Sequence, residues 1–363
     1  MNLTLRLLIC LFCIAGPSAC AATQPTEQSK GNWVRQANGD ILNDPQPSGL
    51  TVWRKQLVTL SDRSAVQQQQ LKLHVLDAES ARIRQSLPIR LSPALNASCF
   101  ASYLSSAPDL EALVADKQDD RVLYSVTEDT AGLQLSEECQ KRFADSGSTL
   151  YPTLLLRLEY QDNQEVLITA VRPLRYSPDM AVGNFPNDGI EGLAISRDGT
   201  LYLGLEKDMA SQPRIFKLAL NRVQWSEAGF LDVQDAKLQL PAFSEGAHPI
   251  NALEFLDHQQ GYLLAFARND DQLWLVDLTA KKPTKIIPMD FLAPTADAAC
   301  PAYELMDNAS IEGITLMDGQ LWMVNDPWKV NYLKNIQCPS NAEAYQKMGA
   351  LLFNIPFNIQ WLD

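Results

Sequence analysis

One short motif recurs along the chain, and its spacing constrains the fold more than any other feature. Strong copies of a strand, a turn and a second strand begin at Ile190, Ile250 and Ile311, and weaker copies begin at Pro47 and Leu110. Corresponding positions are spaced by 63, 80, 60 and 61 residues. A period of this size that opens with two hairpin-linked strands is typical of propeller blades rather than of a helical solenoid.

Further strand-like segments follow each copy, in which apolar and β-branched residues stand between Gly, Asp, Pro and Ser breaks. Third strands are predicted at residues 71–76, 153–160, 214–220, 272–278 and 350–356, and fourth strands at 81–91, 165–176, 223–233 and 284–291. The last copy keeps only residues 358–363 for its fourth strand, so the segment around 33–35 is the alternative closing strand. We therefore predict an all-β fold, a single β-propeller of five four-stranded blades. A sixth blade would have to come from the N-terminal segment and the 80-residue interval.

The N-terminus has the layout of a signal peptide over residues 1–21. Arg6 precedes an apolar run at 7–16, Pro17 breaks that run, and Ala-Cys-Ala at 19–21 fits a cleavage site. The apolar run is too short to span a membrane, and we predict no transmembrane segment elsewhere. We assign 1–21 to the signal peptide, 22–46 to a leader with a possible blade-closing strand, and 47–363 to the propeller. The protein is then periplasmic or secreted; the alternative is a lipoprotein anchored through Cys20.

Four cysteines of the mature chain occupy matching places in the second and fifth copies. Cys99 and Cys300 each stand 12 residues before a repeat glutamate, and Cys139 and Cys338 stand 28 and 26 residues after it. We predict the disulfides Cys99–Cys139 and Cys300–Cys338, each worth about 4 kcal/mol by the loop-entropy estimate. A zinc site is the alternative, although the mature chain has no CxxC motif and no histidine near these cysteines.

A formal net charge of −13 limits the classes of partner. An acidic exported protein is a poor match for nucleic acid or for an anionic membrane surface, whereas cation binding is compatible with this charge. We expect a monomer that takes a small-molecule ligand or substrate.

The repeat also aligns polar residues at one face of the propeller, because in an antiparallel blade the first strand begins where the second strand ends. The first-strand positions are Ser48, Glu111, Glu191, Asn251 and Glu312. The second-strand ends are Asp62, Glu128, Glu206, Arg268 and Asp326, with Asn325 beside the last. We expect these two rings to meet at the mouth of the central channel. So many carboxylates would raise one another's pKa values unless a cation or an arginine compensated them.

Carboxylate and amide oxygens without sulfur or imidazole are the ligands that suit Ca²⁺. The candidate ligands are Glu191, Glu312, Glu111, Asn251, Asp326 and Asn325. The candidate substrate contacts are Arg268, Glu206, Asp62 and Glu128. Arg268 either pairs with Glu206 or Asp326, or holds an anionic group of a substrate. The competing interpretation is that this end of the channel is polar only because it is wet.

Histidine is scarce, which restricts the catalytic hypotheses. His74 lies within a predicted strand and His258 in a hairpin turn on the far face, so only His248 belongs to the loops of the acidic face. His248 is the candidate general base, with an ordinary loop histidine as the alternative. The chain has no GxSxG elbow, no P-loop and no GxGxxG before a helix, and metal-assisted hydrolysis requires none of these.

The third copy carries a family resemblance. Residues 187–194 read N-D-G-I-E-G-L-A, and D-G-T-L-Y at 198–202 and then Glu206 follow. This pattern resembles the core of the phytase-like propeller family described as "esterase-like activity of phytase", and the resemblance covers most of residues 47–330. It implies an exported, calcium-bound propeller that hydrolyses phosphate or other esters. The chain departs from true alkaline phytases because it lacks the lysine- and arginine-rich set that a multiply phosphorylated inositol requires.

Two functional hypotheses follow from these patterns. The first is a Ca²⁺-dependent hydrolase of a small ester, phosphoester or lactone at the channel mouth. The second is a non-catalytic periplasmic propeller that binds a ligand or protein partner and holds a structural ion.

Overall fold

The computed structural model describes residues 25–106, 108–128, 135–148, 153–183 and 189–362. The predicted signal peptide with Cys20, and the first two residues of the 187–194 motif, lie outside the described residues. None of the helices in these ranges is long and apolar enough to cross a membrane.

Strands dominate the described part of the chain. They are β1 (Glu27–Trp33), β2 (Pro47–Trp53), β3 (Gln56–Ser61), β4 (Lys72–Leu76), β5 (Ile83–Leu91), β6 (Leu110–Ala115), β7 (Val122–Thr127), β8 (Leu154–Gln161), β9 (Glu165–Arg175), β10 (Ile190–Ile195), β11 (Thr200–Leu205), β12 (Arg214–Ala219), β13 (Leu231–Asp232), β14 (Gln234–Asp235), β15 (Ile250–Leu256), β16 (Tyr262–Ala267), β17 (Gln272–Asp277), β18 (Lys285–Pro294), β19 (Tyr303–Leu305), β20 (Ile311–Met317), β21 (Gln320–Asn325) and β22 (Leu351–Pro356). Three short α-helices, α1 (Ala101–Ser106), α2 (Glu137–Phe143) and α3 (Ala342–Gln346), lie in the loops. The protein is therefore all-β, as predicted.

The strands assemble into antiparallel groups of four, which we number as units one to five in chain order. The units are β2–β5, β6–β9, β10–β12 with β14, β15–β18, and β20–β22 with β1. The first strands β2, β6, β10, β15 and β20 contact one another in a closed ring. We call these the inner strands, because the units radiate from them about a central axis in a propeller-like arrangement.

The N-terminal strand β1 joins the two ends of the chain. It pairs antiparallel with β22, where Lys30 faces Asn354, and parallel with β18, where Glu27 faces Met289. Its buried residues alternate, as a strand requires, and Gly31 fits against Phe353, whose Cε1 would lie 2.7 Å from an added Cβ. The closing strand thus begins earlier than the predicted segment at 33–35, and it lies within the predicted leader at 22–46. Residues 359–362 form a 3-10 helix instead of a strand.

The predicted fourth strand at 223–233 is wrong for most of its length. Residues 231–232 pair with β9 of unit two, and only β14 pairs with β12 of its own unit. The guanidinium of Arg172, which is 3% exposed, donates hydrogen bonds to the carbonyls of Gln224, Gly229 and Phe230. This buried arginine holds the segment against unit two, so the outer strand of unit three is shortened.

Both predicted disulfides are confirmed. Cys99 and Cys139 close a loop of 40 residues, and Cys300 and Cys338 close one of 38 residues. The zinc alternative is wrong, because bonded cysteines offer no thiolate. Each bridge ties the loop that enters an inner strand to the loop that leaves the neighbouring second strand.

Candidate functional site

A β-bulge near the start of each inner strand places the first ring of polar residues. In each inner strand the register with its hairpin partner shifts within the first four residues. Bulges bend a strand and redirect a side chain, and here they lie beside the channel axis. The five predicted ring residues are all second in their strands and all buried: Ser48, Glu111, Glu191, Asn251 and Glu312.

A small residue follows each ring residue because the inner strands approach closely at this level. These residues are Gly49, Ala112, Gly192, Ala252 and Gly313. A Cβ at Gly313 would lie 2.6 Å from the backbone carbon of Gly49, and one at Gly192 would lie 2.9 Å from Cγ of Leu253. The Glu-Gly pair of the motif therefore has a physical origin: the acid faces the channel and the glycine permits neighbouring strands to pack.

The second ring stands directly after the second strands, as predicted. Its members are Asp62, Glu128, Glu206, Arg268 and Asp326. The backbone N–H of Glu206 donates to the carbonyl of Gly189 at 3.1 Å, and that of Asp326 to Ser310 at 2.8 Å. Asp62 and Glu128 make the corresponding bonds in units one and two. These bonds fix the second ring beside the first.

Nine of the ten ring residues line one cavity of about 340 Å³, and the exception is Asn251, which is 0% exposed and is hydrogen-bonded to Glu206. The cavity is lined by Gln46, Ser48, Asp62, Arg63, Ser64, Asp109, Glu111, Glu128, Glu191, Glu206, Arg268, Glu312, Asp326, Trp328, Lys329 and Val330. Beneath it lies an apolar ring two residues further along each inner strand, formed by Leu50, Leu113, Leu193, Leu253 and Ile314. Only about 10 Å³ remains open at that level, so the cavity is a cup with an acidic wall and a closed apolar floor.

Carboxylates crowd one side of this cup. Asp62, Asp109 and Glu111 bring ligand oxygens within 4.8 Å of one another, and so do Glu111, Glu128 and Glu191. We call these five residues the Glu111 side, because Glu111 belongs to both triads. Their nearest cation is at the rim, where a guanidinium nitrogen of Arg63 lies 3.0 Å from the carboxylate of Asp109.

Burial dominates the electrostatics of the Glu111 side. It raises the pKa of Glu111 and of Glu191 well above the usual range, and the neighbouring acids raise both further. Burial raises the pKa of Glu128 to about 8, partly offset by its hydrogen bond with Glu191. Burial and then Asp109 raise the pKa of Asp62 to about 7. A divalent cation would favour the ionised forms, so binding at this side would release protons.

The opposite side of the cup contains its own cation. The guanidinium of Arg268 forms ion pairs with Glu312 and, at 3.1 Å, with Glu206. Glu206 also accepts a hydrogen bond from the amide of Asn251 at 3.1 Å. We call these four residues the Arg268 side. Of the two predicted partners, Glu206 is correct and Asp326 is wrong, because Glu312 of the adjacent unit takes that place.

Three buried oxygen atoms at the cup lack a hydrogen-bond partner among the described residues. They are Oε2 of Glu312, Oδ1 of Asn251 and Oδ1 of Asp326. The side chain of Glu312 is 5% exposed, and burying such an oxygen without a partner is costly. Oxygen ligands in excess of donors are the chemistry that Ca²⁺ satisfies, so the residues present fit this ion.

Asn325 does not belong to this ligand set, contrary to the prediction. Its Oδ1 accepts a hydrogen bond from the backbone N–H of Leu351 at 2.6 Å, and its amide donates to the hydroxyl of Tyr332 at 3.3 Å. Asn325 is the last residue of β21, so its side chain faces the neighbouring strand rather than the cup. Both ends of this amide are hydrogen-bonded within unit five, whereas Oδ1 of Asn251 has no hydrogen-bond partner among the described residues.

His248 is also outside the cup, so the structure does not support it as a general base there. Its Nδ1 lies 2.9 Å from the carboxylate of Asp270, its Nε2 lies 2.9 Å from the carbonyl of Glu245, and its ring stacks on Phe243. Burial lowers its pKa, but these hydrogen bonds outweigh burial and leave the pKa raised. Both ring nitrogens face acceptor oxygens, so His248 is a protonated imidazolium within a loop. This fits the alternative interpretation, an ordinary loop histidine.

Asp109 is the carboxylate of the cavity lining that was not predicted from the sequence. It stands just before the inner strand β6, at the place that Gln46 occupies before β2, and both line the cup. The repeat alignment itself was the available signal, because it extends one residue before each inner strand. At the rim, Trp328 is 46% exposed and Val330 is 75% exposed, on either side of Lys329.

One protein family matches most of this chain. The family model "Phytase-like: Esterase-like activity of phytase" matches residues 46–327. The chain belongs to the phytase-like family. No curated protein matches it.

Several solved structures resemble this phytase-like chain at low identity. A GH43_1 enzyme from Xanthomonas citri has a TM-score of 0.44 and 9% identity, covering 87% of this chain and 89% of that chain. Regucalcin, a calcium-binding protein from Agrobacterium tumefaciens, has a TM-score of 0.41 and 12% identity, covering 91% and 94%. An exo-1,5-alpha-L-arabinanase from a bovine ruminal metagenomic library has a TM-score of 0.44 and 8% identity, covering 88% and 95%.

Proposed function

We propose that this phytase-like protein is a Ca²⁺-dependent hydrolase of a small ester or phosphoester, built on a propeller of five four-stranded blades. The observation that carries the proposal is the pair of carboxylate triads that share Glu111 in a closed cup. The resulting site offers oxygen ligands only, as Ca²⁺ prefers. Its ligands are Asp62, Asp109, Glu111, Glu128 and Glu191.

Bound Ca²⁺ would supply Lewis-acid polarisation of a carbonyl or phosphoryl oxygen. The chain's own residues would do the rest. Without an ion the pKa of Glu128 is raised to about 8, and Ca²⁺ would ionise this carboxyl, so Glu128 would serve as an oxygen ligand rather than as a proton carrier. The leucine-rich floor closes the cup to through-flow of solvent, so a substrate enters and leaves by the mouth.

The rim chemistry supports a substrate with one anionic group and an apolar part. Arg63 and Lys329 are each 42–43% exposed in their side chains and stand at the mouth, where an oxyanion would meet them. Trp328 and Val330 offer an apolar surface beside them. Both cations already have a carboxylate partner, Asp109 and Asp44, which disfavours a multiply phosphorylated inositol.

The location we propose is the periplasm or the medium. The N-terminal pattern at 1–21 supports export, and the two disulfides are consistent with an oxidising compartment. Anchoring through an acylated Cys20 is the alternative. We propose a monomer, with a small molecule as the ligand.

A non-catalytic propeller with a structural ion is the second candidate function. The observation that favours it is the composition of the cup, whose lining residues include no histidine and no cysteine. Such a protein would bind a ligand or a protein partner at the same mouth.

Hydrolysis assays separate the two functions. The mature chain would be tested on ester, lactone and phosphomonoester panels in Ca²⁺ and in EDTA, together with Glu191→Gln and the control Asp198→Asn, which lies in the β10–β11 turn. The hydrolase proposal expects turnover that EDTA abolishes, that Glu191→Gln reduces by at least about 100-fold, and that Asp198→Asn preserves. Calcium binding without turnover on any panel would favour the non-catalytic protein, and a melting temperature unmoved by Ca²⁺ and EDTA would contradict both.

A further inference from the structure

The fourth unit breaks the acidic pattern of the cup at both ring positions. Units two, three and five supply an acid to each ring, whereas unit four supplies Asn251 and Arg268. The backbone geometry of unit four does not differ: its inner strand has the same bulge, and its second strand ends at the same level. Unit four therefore differs from the other units in its side chains and not in its backbone, and it introduces a fixed positive charge.

Arg268 bridges two carboxylates from neighbouring units. Its two terminal nitrogens contact Glu312 and Glu206, which come from the units on either side. The side chain is 28% exposed, while those of Glu206 and Glu312 are only 8% and 5% exposed, so the ion pairs lie toward the interior of the cup. Burial alone would lower the pKa of Arg268, but the two carboxylates outweigh it and the guanidinium stays charged.

The groups around this guanidinium form a ligand set for a metal ion. Glu206 and Glu312 each present an Oε1 to the cation, and Oε2 of Glu312 and Oδ1 of Asn251 are buried with no hydrogen-bond partner among the described residues. Asn251 is 0% exposed. Carboxylate and amide oxygens in this number, completed by water, are the usual ligands of Ca²⁺.

We propose that Glu206, Asn251 and Glu312 form a second divalent-cation site whose occupant in this chain is the guanidinium of Arg268. Arg268 thereby confines Ca²⁺ to the Glu111 side and fixes one positive charge opposite it. This inference rests on the proposed function only in assuming that the Glu111 side binds Ca²⁺. Removing Arg268 should open the second site while leaving every proposed ligand of the Glu111 side in place, although Glu191 loses one nearby positive charge.

The test counts bound Ca²⁺ per chain by equilibrium dialysis and native mass spectrometry, with Ca²⁺ alone as the probe. The mature wild type is compared with Arg268→Met, which keeps the apolar length of the side chain and removes its charge, and with the matched control Arg268→Lys. We expect Arg268→Met to bind one more Ca²⁺ per chain than the wild type, and Arg268→Lys to bind the wild-type number. The melting temperature of Arg268→Met should fall in EDTA and rise more steeply with Ca²⁺ than that of the wild type.

A second variant keeps the test decisive if Arg268→Met is unstable without calcium. Arg268→Met combined with Glu206→Gln and Glu312→Gln removes the buried negative charges, so it should fold in EDTA and bind only the wild-type number of ions. An unchanged Ca²⁺ count in Arg268→Met would overturn the inference while leaving the calcium site on the Glu111 side intact. An extra ion that persists in the triple variant would overturn it as well. Absence of calcium from every variant, the wild type included, would instead contradict the proposed function.

Discussion

The Glu111 side and the Arg268 side of the cup are built on the same repeated frame but balance their charge differently. On the Arg268 side, a guanidinium from unit four neutralises two buried carboxylates directly. On the Glu111 side, the direct ion pair among the described residues is the one between the rim guanidinium of Arg63 and Asp109, and the charge of Arg268 reaches Glu191 without contacting it in an ion pair. On the Arg268 side, the protein itself balances the charge of the buried carboxylates. The Glu111 side is electrostatically stable only when its acids are protonated or a cation binds.

The comparison shows that a ring of acids is not in itself a metal site. What distinguishes the sides is whether a carboxylate already has a cationic partner. Glu191 and Glu312 have the same Ile-Glu-Gly context, and the sequence analysis gave both the same role. In the structure Glu191 lies among other acids and Glu312 is paired with Arg268. Glu191 therefore belongs to the Glu111 side and Glu312 to the Arg268 side.

The largest expected effect is a dependence of stability on pH that calcium removes. The folded pKa of Asp62, about 7, and that of Glu128, about 8, are raised above their unfolded values, so the folded state binds more protons between pH 4 and 8. In EDTA these two groups should therefore lower the free energy of unfolding by several kcal/mol as the pH rises from 4 to 8, which outweighs the opposite contribution of buried His74, whose pKa is lowered to about 4. Denaturant unfolding at several pH values measures this directly.

Calcium should reverse that trend. Saturating Ca²⁺ favours the ionised carboxylates, so the decline with pH should flatten or become a rise. Calorimetric titration at pH 7 in two buffers of different ionisation enthalpy should show proton release, which should be smaller at pH 9. A curve in EDTA that rises from pH 4 to 8 would mean that the Glu111 side is not the uncompensated cluster described above.

The next effect comes from the residue that the two triads share. Glu111→Gln should weaken Ca²⁺ binding by at least about 100-fold, which corresponds to about 2.7 kcal/mol. The same variant should be more stable than the wild type in EDTA, because one buried acid is neutralised. Calorimetric affinity and unfolding in EDTA are the two measurements.

Glu206→Gln is the matched control for this prediction. It neutralises one carboxylate on the Arg268 side, where Glu312 still pairs with the guanidinium, so its effect on Ca²⁺ affinity should stay within about threefold, or about 0.7 kcal/mol. Equal losses of affinity in Glu111→Gln and Glu206→Gln would show that the two sides act as a single site.

The strands and ring positions that form the cup could be predicted from the sequence because they recur in every unit. The ring positions and both disulfides follow from aligning the copies, and the strand order of each unit follows from the position of turns and apolar runs. The pairing of charges could not be found in this way. Arg268 contacts acids from the units before and after its own, and the choice of Glu312 over Asp326 depends on side-chain direction across the channel. The shortened outer strand of unit three depends on one buried arginine, Arg172, in another unit.

A smaller effect tests the close packing of the inner strands, on which both sides of the cup depend. Gly313→Ala should destabilise the protein by about 1–3 kcal/mol, because the new Cβ would lie 2.6 Å from the backbone of Gly49 in the neighbouring inner strand. Gly229→Ala is the control, since no atom lies within 4 Å of its Cβ and the change should be near neutral. Thermal unfolding in Ca²⁺ and in EDTA should show the same loss for Gly313→Ala. A loss seen only in Ca²⁺ would place Gly313 in the ion site rather than in the packing of the frame.

The smallest expected effect comes from His248, which lies outside both sides of the cup. His248→Gln should lower stability by about 1 kcal/mol at pH 6, because the imidazolium pairs with Asp270. Its raised folded pKa means that this contribution is present at low pH and lost as the pH rises, so wild type and variant should converge by pH 9. Calcium affinity and any hydrolysis should be unchanged. A loss of turnover with unchanged stability would return His248 to the catalytic role that its loop position suggested, and would mean that the loop at 245–248 moves toward the cup when substrate binds.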